Sequence, residues 1–294
     1  MSDPDLAVHD PHRGGVRTST WRPPTRRVQV GRTLIRIADV GEGPPLLLIN
    51  GIGGNIEMWE PVASRLQGRR LVMFDIPGCG ESPPLPRRLR MPGYARLVAS
   101  LLDVLRIDRA DVLGYSWGGA LAQQVAVETP GRVRSLALCA TIPGLGGRPP
   151  APWVVPLMAT PARYYSRSYL RWVSPALFGS DPEKAADSVF GDARLARPPS
   201  VRGYSQQLYA VSGWTSRPWL RRLDVPTLVL AGERDPLAPV QNAHILARCI
   251  RGAQLHLLDA GHLFLLEEPD EAVPLLERFL REQDVAADEP RPAA

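Results

Sequence analysis

The period of apolar and polar positions changes repeatedly along the chain. Short runs rich in apolar residues fall at 28–30, 34–38, 46–50, 71–75, 110–113, 135–140, 227–231 and 254–258, and several are continuous, as in strands buried on both faces. Between most of them, residues 56–66, 94–106, 120–128, 240–250 and 271–281 repeat their apolar positions with the period of a helix. Two β segments come first and β-α units follow. This order predicts an α/β fold with a mostly parallel eight-stranded sheet flanked by helices.

One segment breaks the alternation. Residues 143–223 carry no clear strand pattern, many prolines and 11 of the chain's 19 aromatic residues. Inserted after the sixth strand, such a segment lies near the carboxyl ends of the strands, where open α/β folds bind ligands. It is expected to form a helical cap, with Trp153, Trp172 and Trp214 as candidates to line a substrate pocket; the competing role for each is to pack the cap's own core. The α/β core is then expected over residues 27–142 and 224–283. Residues 1–26 and 284–294 are rich in Pro, Arg, Ala and Asp without periodicity, so both are expected to be disordered tails.

Composition narrows the function classes. At 294 residues and 44% hydrophobic content the chain can bury one large core with an insertion. The net charge is +5, yet Lys184 is the only lysine among 35 basic residues and no five-residue basic block occurs. That dispersed arginine content argues against a nucleic-acid partner. Cys79, Cys139 and Cys249 are far apart, with no C-x-x-C spacing and no clustered His, which points to a reducing compartment and away from a metal site. The N-terminal residues have no apolar signal core and no run of 18 apolar residues exists, so a cytoplasmic protein without a transmembrane segment is expected.

The chemistry is carried by Gly114-Tyr115-Ser116-Trp117-Gly118, which follows a strand pattern and opens a helical one. That is the setting of a serine nucleophile elbow, in which flanking glycines permit a sharp turn. Ser116 is the candidate nucleophile; the alternative is an ordinary helix N-cap. A serine hydroxyl needs an adjacent base and a group that orients the base. Asp235 follows the strand at 227–231, and His262 follows the one at 254–258, giving the order Ser, Asp, His of α/β-hydrolases. His9, His12, His244 and His256 lie in a tail, a helix or a strand, whereas Glu233 and Asp259 remain nearby alternatives for the acid. For the oxyanion, the backbone N–H of Trp117 is one expected donor and that of Ile52, in the loop Asn50-Gly51-Ile52-Gly53-Gly54-Asn55, the other. That loop has neither the spacing of a dinucleotide site nor the ending of a phosphate loop. A third glycine-rich turn, at 75–82, is expected to be structural, and its Cys79 lacks a His partner.

These residues resemble the α/β-hydrolase superfamily across roughly residues 28–282. Leu48-Ile49-Asn50-Gly51-Ile52-Gly53, the run from Gly114 to Gln124, Gly213-Trp214-Thr215-Ser216, Gln254-Leu255-His256-Leu257-Leu258 and Gly261-His262-Leu263-Phe264-Leu265 resemble intracellular poly(3-hydroxyalkanoate) depolymerases in particular. Asn50, where many superfamily members carry His, is part of that resemblance and adds a pocket candidate. The resemblance implies hydrolysis of a medium-chain storage polyester at cytoplasmic granules through a 3-hydroxyacyl-enzyme on Ser116, with no metal or organic cofactor. A carboxylesterase or lipase acting on small or lipid esters would use the same residues, because substrate choice lies in the cap. A non-catalytic granule-coat or ligand-binding protein on this scaffold is the reading from another class.

Overall fold

The structure, a computed structural model, describes residues 21–288. Eight strands form one sheet: β1 (Thr25–Val30), β2 (Thr33–Val40), β3 (Pro45–Ile49), β4 (Arg70–Phe74), β5 (Ala110–Tyr115), β6 (Val133–Cys139), β7 (Thr227–Gly232) and β8 (Gln254–Leu258). Their order is β1-β2-β4-β3-β5-β6-β7-β8. β1 with β2 and β2 with β4 pair antiparallel, and every later pair is parallel. The mostly parallel eight-stranded sheet expected from the apolar pattern therefore holds. Strand β3 explains why its run reads as continuously apolar: Leu47 and Ile49 enter one core cluster and Leu46 and Leu48 the other, on the opposite face.

The helices follow in two groups. α1 (Glu60–Ala63), α2 (Met91–Val104) and α3 (Trp117–Glu128) lie between strands of the first half. Residues 56–59, expected within one helix, instead form a 3-10 turn before Glu60 and Pro61 open the short α1. Between β6 and β7 come α4 (Val154–Met158), α5 (Arg167–Phe178), α6 (Pro182–Asp187), α7 (Val189–Ala196) and α8 (Val201–Val211). An antiparallel bridge between Gly144 and Thr215 closes the base of this helical segment. α9 (Gln241–Cys249), α10 (Phe264–Glu267) and α11 (Pro269–Asp288) are the last helices of the described residues. Among the described residues no helix is long and apolar enough to cross a membrane.

Both expected tails fall largely outside the described residues. Where they are described, the boundaries move: β1 begins at Thr25, and α11 continues to Asp288. The extension has a physical cause at the C-terminus, where Asp284 accepts from the buried Arg69, forms an ion pair with Arg134 and ties the last turns to the sheet.

Candidate active site

Strand β5 delivers Ser116 at its carboxyl end, between Tyr115 and the first residue of α3. Ser116 has φ +54° and ψ −117°, a conformation that costs roughly 1–3 kcal/mol and persists only where the surroundings impose it. The strain is carried by the serine itself. Gly118 answers a different need, since a Cβ there would stand 2.1 Å from the Ile49 carbonyl oxygen, so only glycine lets α3 start this close to β3. The Ser116 side chain makes no N-cap hydrogen bond. Its Oγ lies 3.0 Å from His262 Nε2, and its carbonyl accepts from Thr141 Oγ1 at 2.7 Å.

The second ring nitrogen of His262, Nδ1, lies 2.6 Å from Asp235 Oδ2. Asp235 Oδ1 accepts the backbone N–H groups of Leu237 and Ala238, both at 2.8 Å, so the two carboxylate oxygens are fully engaged in the loop after β7. His262 is 2% exposed. Phe178 stacks on it with ring centroids 6.0 Å apart, and Tyr115 lies 5.5 Å away on a tilted plane. The backbone is pinned as well: the His262 N–H donates to Phe178 O at 2.6 Å, and Tyr115 Oη donates to His262 O at 2.8 Å. Gly261 makes this possible, because a Cβ would meet Phe178 O at 2.3 Å. The end of α5 is thus seated directly on the histidine loop.

The alternatives are placed elsewhere. Asp259 forms an exposed ion pair with Arg234, and His244 and His256 belong to α9 and β8. Cys79 is fully buried, accepts from Gln207 Nε2 at 2.7 Å, and has its thiol pushed up to about 12 by burial. It is held as an inert thiol.

Three tethers shape the loop after β3. Gly53 N donates to Gln207 Oε1 at 3.0 Å, Tyr164 Oη donates to Ile52 O, and Ile56 N donates to Asp75 Oδ1 at 2.9 Å. Asp75 is itself buried against Arg36, at 3.1 Å, and burial raises its carboxyl to about 6. Among the described residues, neither the Ile52 N–H nor the Trp117 N–H has a hydrogen-bond acceptor. Both residues border the space in front of Ser116.

Two cavities meet at Ser116. The smaller is bordered by Asn50, Met58, Tyr115, His262 and the cap-segment residues Arg163, Tyr164, Phe178 and Arg194. The larger is bordered by Trp117, Ala120, Ile142, Leu208 and Val211, and no charged side chain lines it. Asn50 borders the smaller cavity together with Ser116 and His262. Its Nδ2 donates to Asn55 O at 2.7 Å, while among the described residues Oδ1 has no hydrogen-bond partner.

The three tryptophans do not line either cavity. Trp153, at the N-cap of α4, and Trp172, on the outward face of α5, are 59% and 71% exposed. Trp214 is buried, but its indole N–H donates to Gln124 Oε1 on α3 at 2.7 Å, away from Ser116. The Gly213–Ser216 stretch acts as a clasp: Ser216 N donates to Pro143 O at 2.9 Å, alongside the Gly144–Thr215 bridge. Sequence reasoning missed Tyr115, Thr141, Phe178, Arg163 and Arg194. Tyr115 and Phe178 could have been sought among residues adjoining the nucleophile and the helix ends; the two arginines carry no local signal in an arginine-rich chain.

Glu267, on α10 just past the histidine loop, is pushed up to about 7 by burial, with Ser180 and Arg194 pulling the other way. Its folded-state value lies above the ordinary 4.5, so its contribution to stability is fully present below about pH 4.5 and is lost as pH rises through 7. Glu267→Gln is expected to be more stable than the wild type at pH 8 by about 2 kcal/mol. The gap should close toward pH 5. Denaturant melts at the two pH values check this; an equal difference at both would refute it.

The chain belongs to the alpha/beta hydrolase fold family, whose model matches residues 44–269. Among curated proteins it is 41% identical over 252 residues to the poly(3-hydroxyalkanoate) depolymerase of Ectopseudomonas oleovorans, covering 85% of this chain and 89% of that one. It is accordingly an ester hydrolase. Similarity extends to 3-oxoadipate enol-lactonase 2 of Acinetobacter baylyi, 29% identical over 77% of this chain and 84% of that protein. The solved enol-lactonase from Burkholderia xenovorans LB400 superposes with a TM-score of 0.76 at 28% identity, covering 87% of this chain and all of that one.

Proposed function

We propose that this protein is a serine esterase that hydrolyses the ester bonds of poly(3-hydroxyalkanoate) at cytoplasmic granules, with the helical segment between β6 and β7 as its cap. The chemistry rests on one observation, the unbroken line from Ser116 Oγ through His262 to Asp235 at 3.0 and 2.6 Å. The substrate rests on the 41% identity to a depolymerase.

In this reading His262 Nε2 takes the Ser116 proton as Oγ bonds to the ester carbon. The developing oxyanion is met by the Ile52 and Trp117 N–H groups, which are free of other acceptors. The carbon–oxygen bond to the alcohol then breaks, and His262 returns the proton to that oxygen. Water, activated by His262, cleaves the resulting 3-hydroxyacyl-enzyme. One water is consumed per ester, yielding one acid and one alcohol, and Asp235 holds the imidazole in the required tautomer throughout.

The outer cap supports a water-insoluble substrate. Trp153 donates to Ala176 O at 3.3 Å, one helical turn from Trp172, which pairs with Tyr169 at 5.7 Å. An exposed aromatic cluster of this kind is suited to an apolar surface. The test is release of soluble 3-hydroxy acids from amorphous medium-chain polyester granules, with short p-nitrophenyl esters in parallel. The wild type is expected to hydrolyse both. Trp153→Ala/Trp172→Ala is expected to lose about 10-fold in granule turnover while retaining small-ester kcat/KM. Hydrolysis of small esters alone would leave a general esterase.

A further inference from the structure

Two guanidinium groups are buried beside Ser116, and among the described residues neither is hydrogen-bonded to a carboxylate. Arg163 and Arg194 are 1% and 3% exposed. Arg163 donates to Thr160 O at 3.1 Å and to Tyr204 Oη at 2.9 Å, leaving Nε without a partner. Among the described residues Arg194 has no hydrogen-bond partner at Nε or Nη1, and aromatic rings pack on it: its Cζ stands 4.5 Å from the Phe190 ring centroid and 5.1 Å from that of Phe178. Both arginines also stack on Tyr164, at 4.8 and 4.9 Å.

A buried charge without a counter-ion is costly, and two of like sign in one cavity are more so. Burial and the neighbouring Arg163 charge both pull the Arg194 guanidinium below its ordinary range. Glu267, whose charge reaches Arg194, makes no hydrogen bond to it and is itself driven toward the neutral acid. An anion entering the cavity would supply the missing acceptors and relieve the repulsion. A carboxylate matches the planar donors of arginine.

The two cavities give the anion a place in the reaction. His262, Arg163 and Arg194 border only the smaller cavity, and Trp117 borders only the larger, uncharged one. The leaving oxygen must face the proton donor His262, so the alcohol half of the ester occupies the arginine cavity and the acyl half the apolar one.

We propose that Arg163 and Arg194 bind the free carboxylate of the alcohol half, so that the enzyme cleaves the last ester bond at the carboxyl end of a 3-hydroxyacyl chain. This rests on the polyester reading above. Ser116 Oγ bonds to the penultimate acyl carbon, the bond to the terminal residue's hydroxyl oxygen breaks, and that oxygen takes the proton from His262. One 3-hydroxy acid leaves. Water then frees the shortened chain, whose new terminal carboxylate is the group recognised in the next round.

The test compares a linear 3-hydroxyoctanoate dimer carrying a free carboxylate with the same dimer capped as its primary amide. The wild type is expected to cleave the acid with a kcat/KM about 10- to 100-fold higher, mainly through KM. In Arg163→Met and Arg194→Met that ratio should fall toward one, and Arg194→Lys should recover part of it. Equal cleavage of acid and amide by the wild type overturns the proposal. Because removing a buried arginine can compromise folding, a second measurement uses the wild type alone: inhibition of p-nitrophenyl butyrate hydrolysis by 3-hydroxyoctanoate and by its amide. If neither dimer is cleaved, the polyester reading fails. The inhibition then decides the arginine site by itself, with at least about 10-fold tighter inhibition by the carboxylate upholding it and equal inhibition overturning it.

Discussion

Ser116→Ala is expected to lower kcat for ester hydrolysis by about 10^5- to 10^6-fold, with the fold intact. No other group in the site can replace it: Cys79 is buried as an un-ionised thiol, and Thr141 Oγ1 is committed to the Ser116 carbonyl. The one side-chain hydrogen bond lost is that to His262, so thermal stability should stay within about 1 kcal/mol of the wild type. Ser116→Gly adds a control that separates catalysis from strain. It should be equally inactive, yet more stable than Ser116→Ala by about 1–2 kcal/mol, because glycine adopts φ +54° without penalty. Turnover of a p-nitrophenyl ester and thermal melts check both. Residual turnover within 100-fold of the wild type would remove Ser116 as the nucleophile.

The second largest loss should come from Asp235→Asn, about 10^4-fold in kcat with KM little changed. The reason lies in the other carboxylate oxygen. Oδ1 accepts two backbone N–H groups, from Leu237 and Ala238, so an asparagine must keep its carbonyl oxygen there. Its NH₂ group is then forced toward His262 Nδ1, which has to become an acceptor. The ring proton moves to Nε2, where it faces Ser116 and cannot accept the serine proton. Glu233→Gln and Asp259→Asn, by contrast, should retain activity within about 3-fold, as surface changes do. Steady-state kinetics of the three variants decide which carboxylate orients the base. A larger loss in either control would reassign the acid.

The core of this site was legible because its parts are tied to punctuation in the chain. A strand pattern ending in Gly-x-Ser-x-Gly, a carboxylate after the seventh strand and a histidine after the eighth are each local signals. The parallel sheet converts those local positions into proximity, since every carboxyl-terminal strand end opens on the same edge. The loop from Asn50 to Asn55 could be read in the same way.

The cap could not be read so. Trp153, Trp172 and Trp214 were plausible pocket residues by composition, yet two face solvent and the third braces the cap's base against α3. Which face a helix turns inward depends on what it packs against, and that partner is distant in sequence. Phe178 supports His262 from 84 residues away, and Tyr164 reaches the Ile52 carbonyl across 112. Even at the elbow, pattern and structure divide the work differently: the glycines admit a close helix, while the serine bears the strained dihedrals.

Periodicity and strand-end motifs were enough for the sheet, the order of its helices and the three residues joined at Ser116, because a buried parallel sheet leaves its imprint on neighbouring positions. The burial of Arg163 and Arg194, the division of the site into a charged and an uncharged cavity, and the seating of α5 on the histidine loop arose only on folding. They depend on contacts between segments with no shared pattern, and an arginine's sequence neighbours carry no record of whether its counter-ion will be a protein carboxylate or one brought by a ligand.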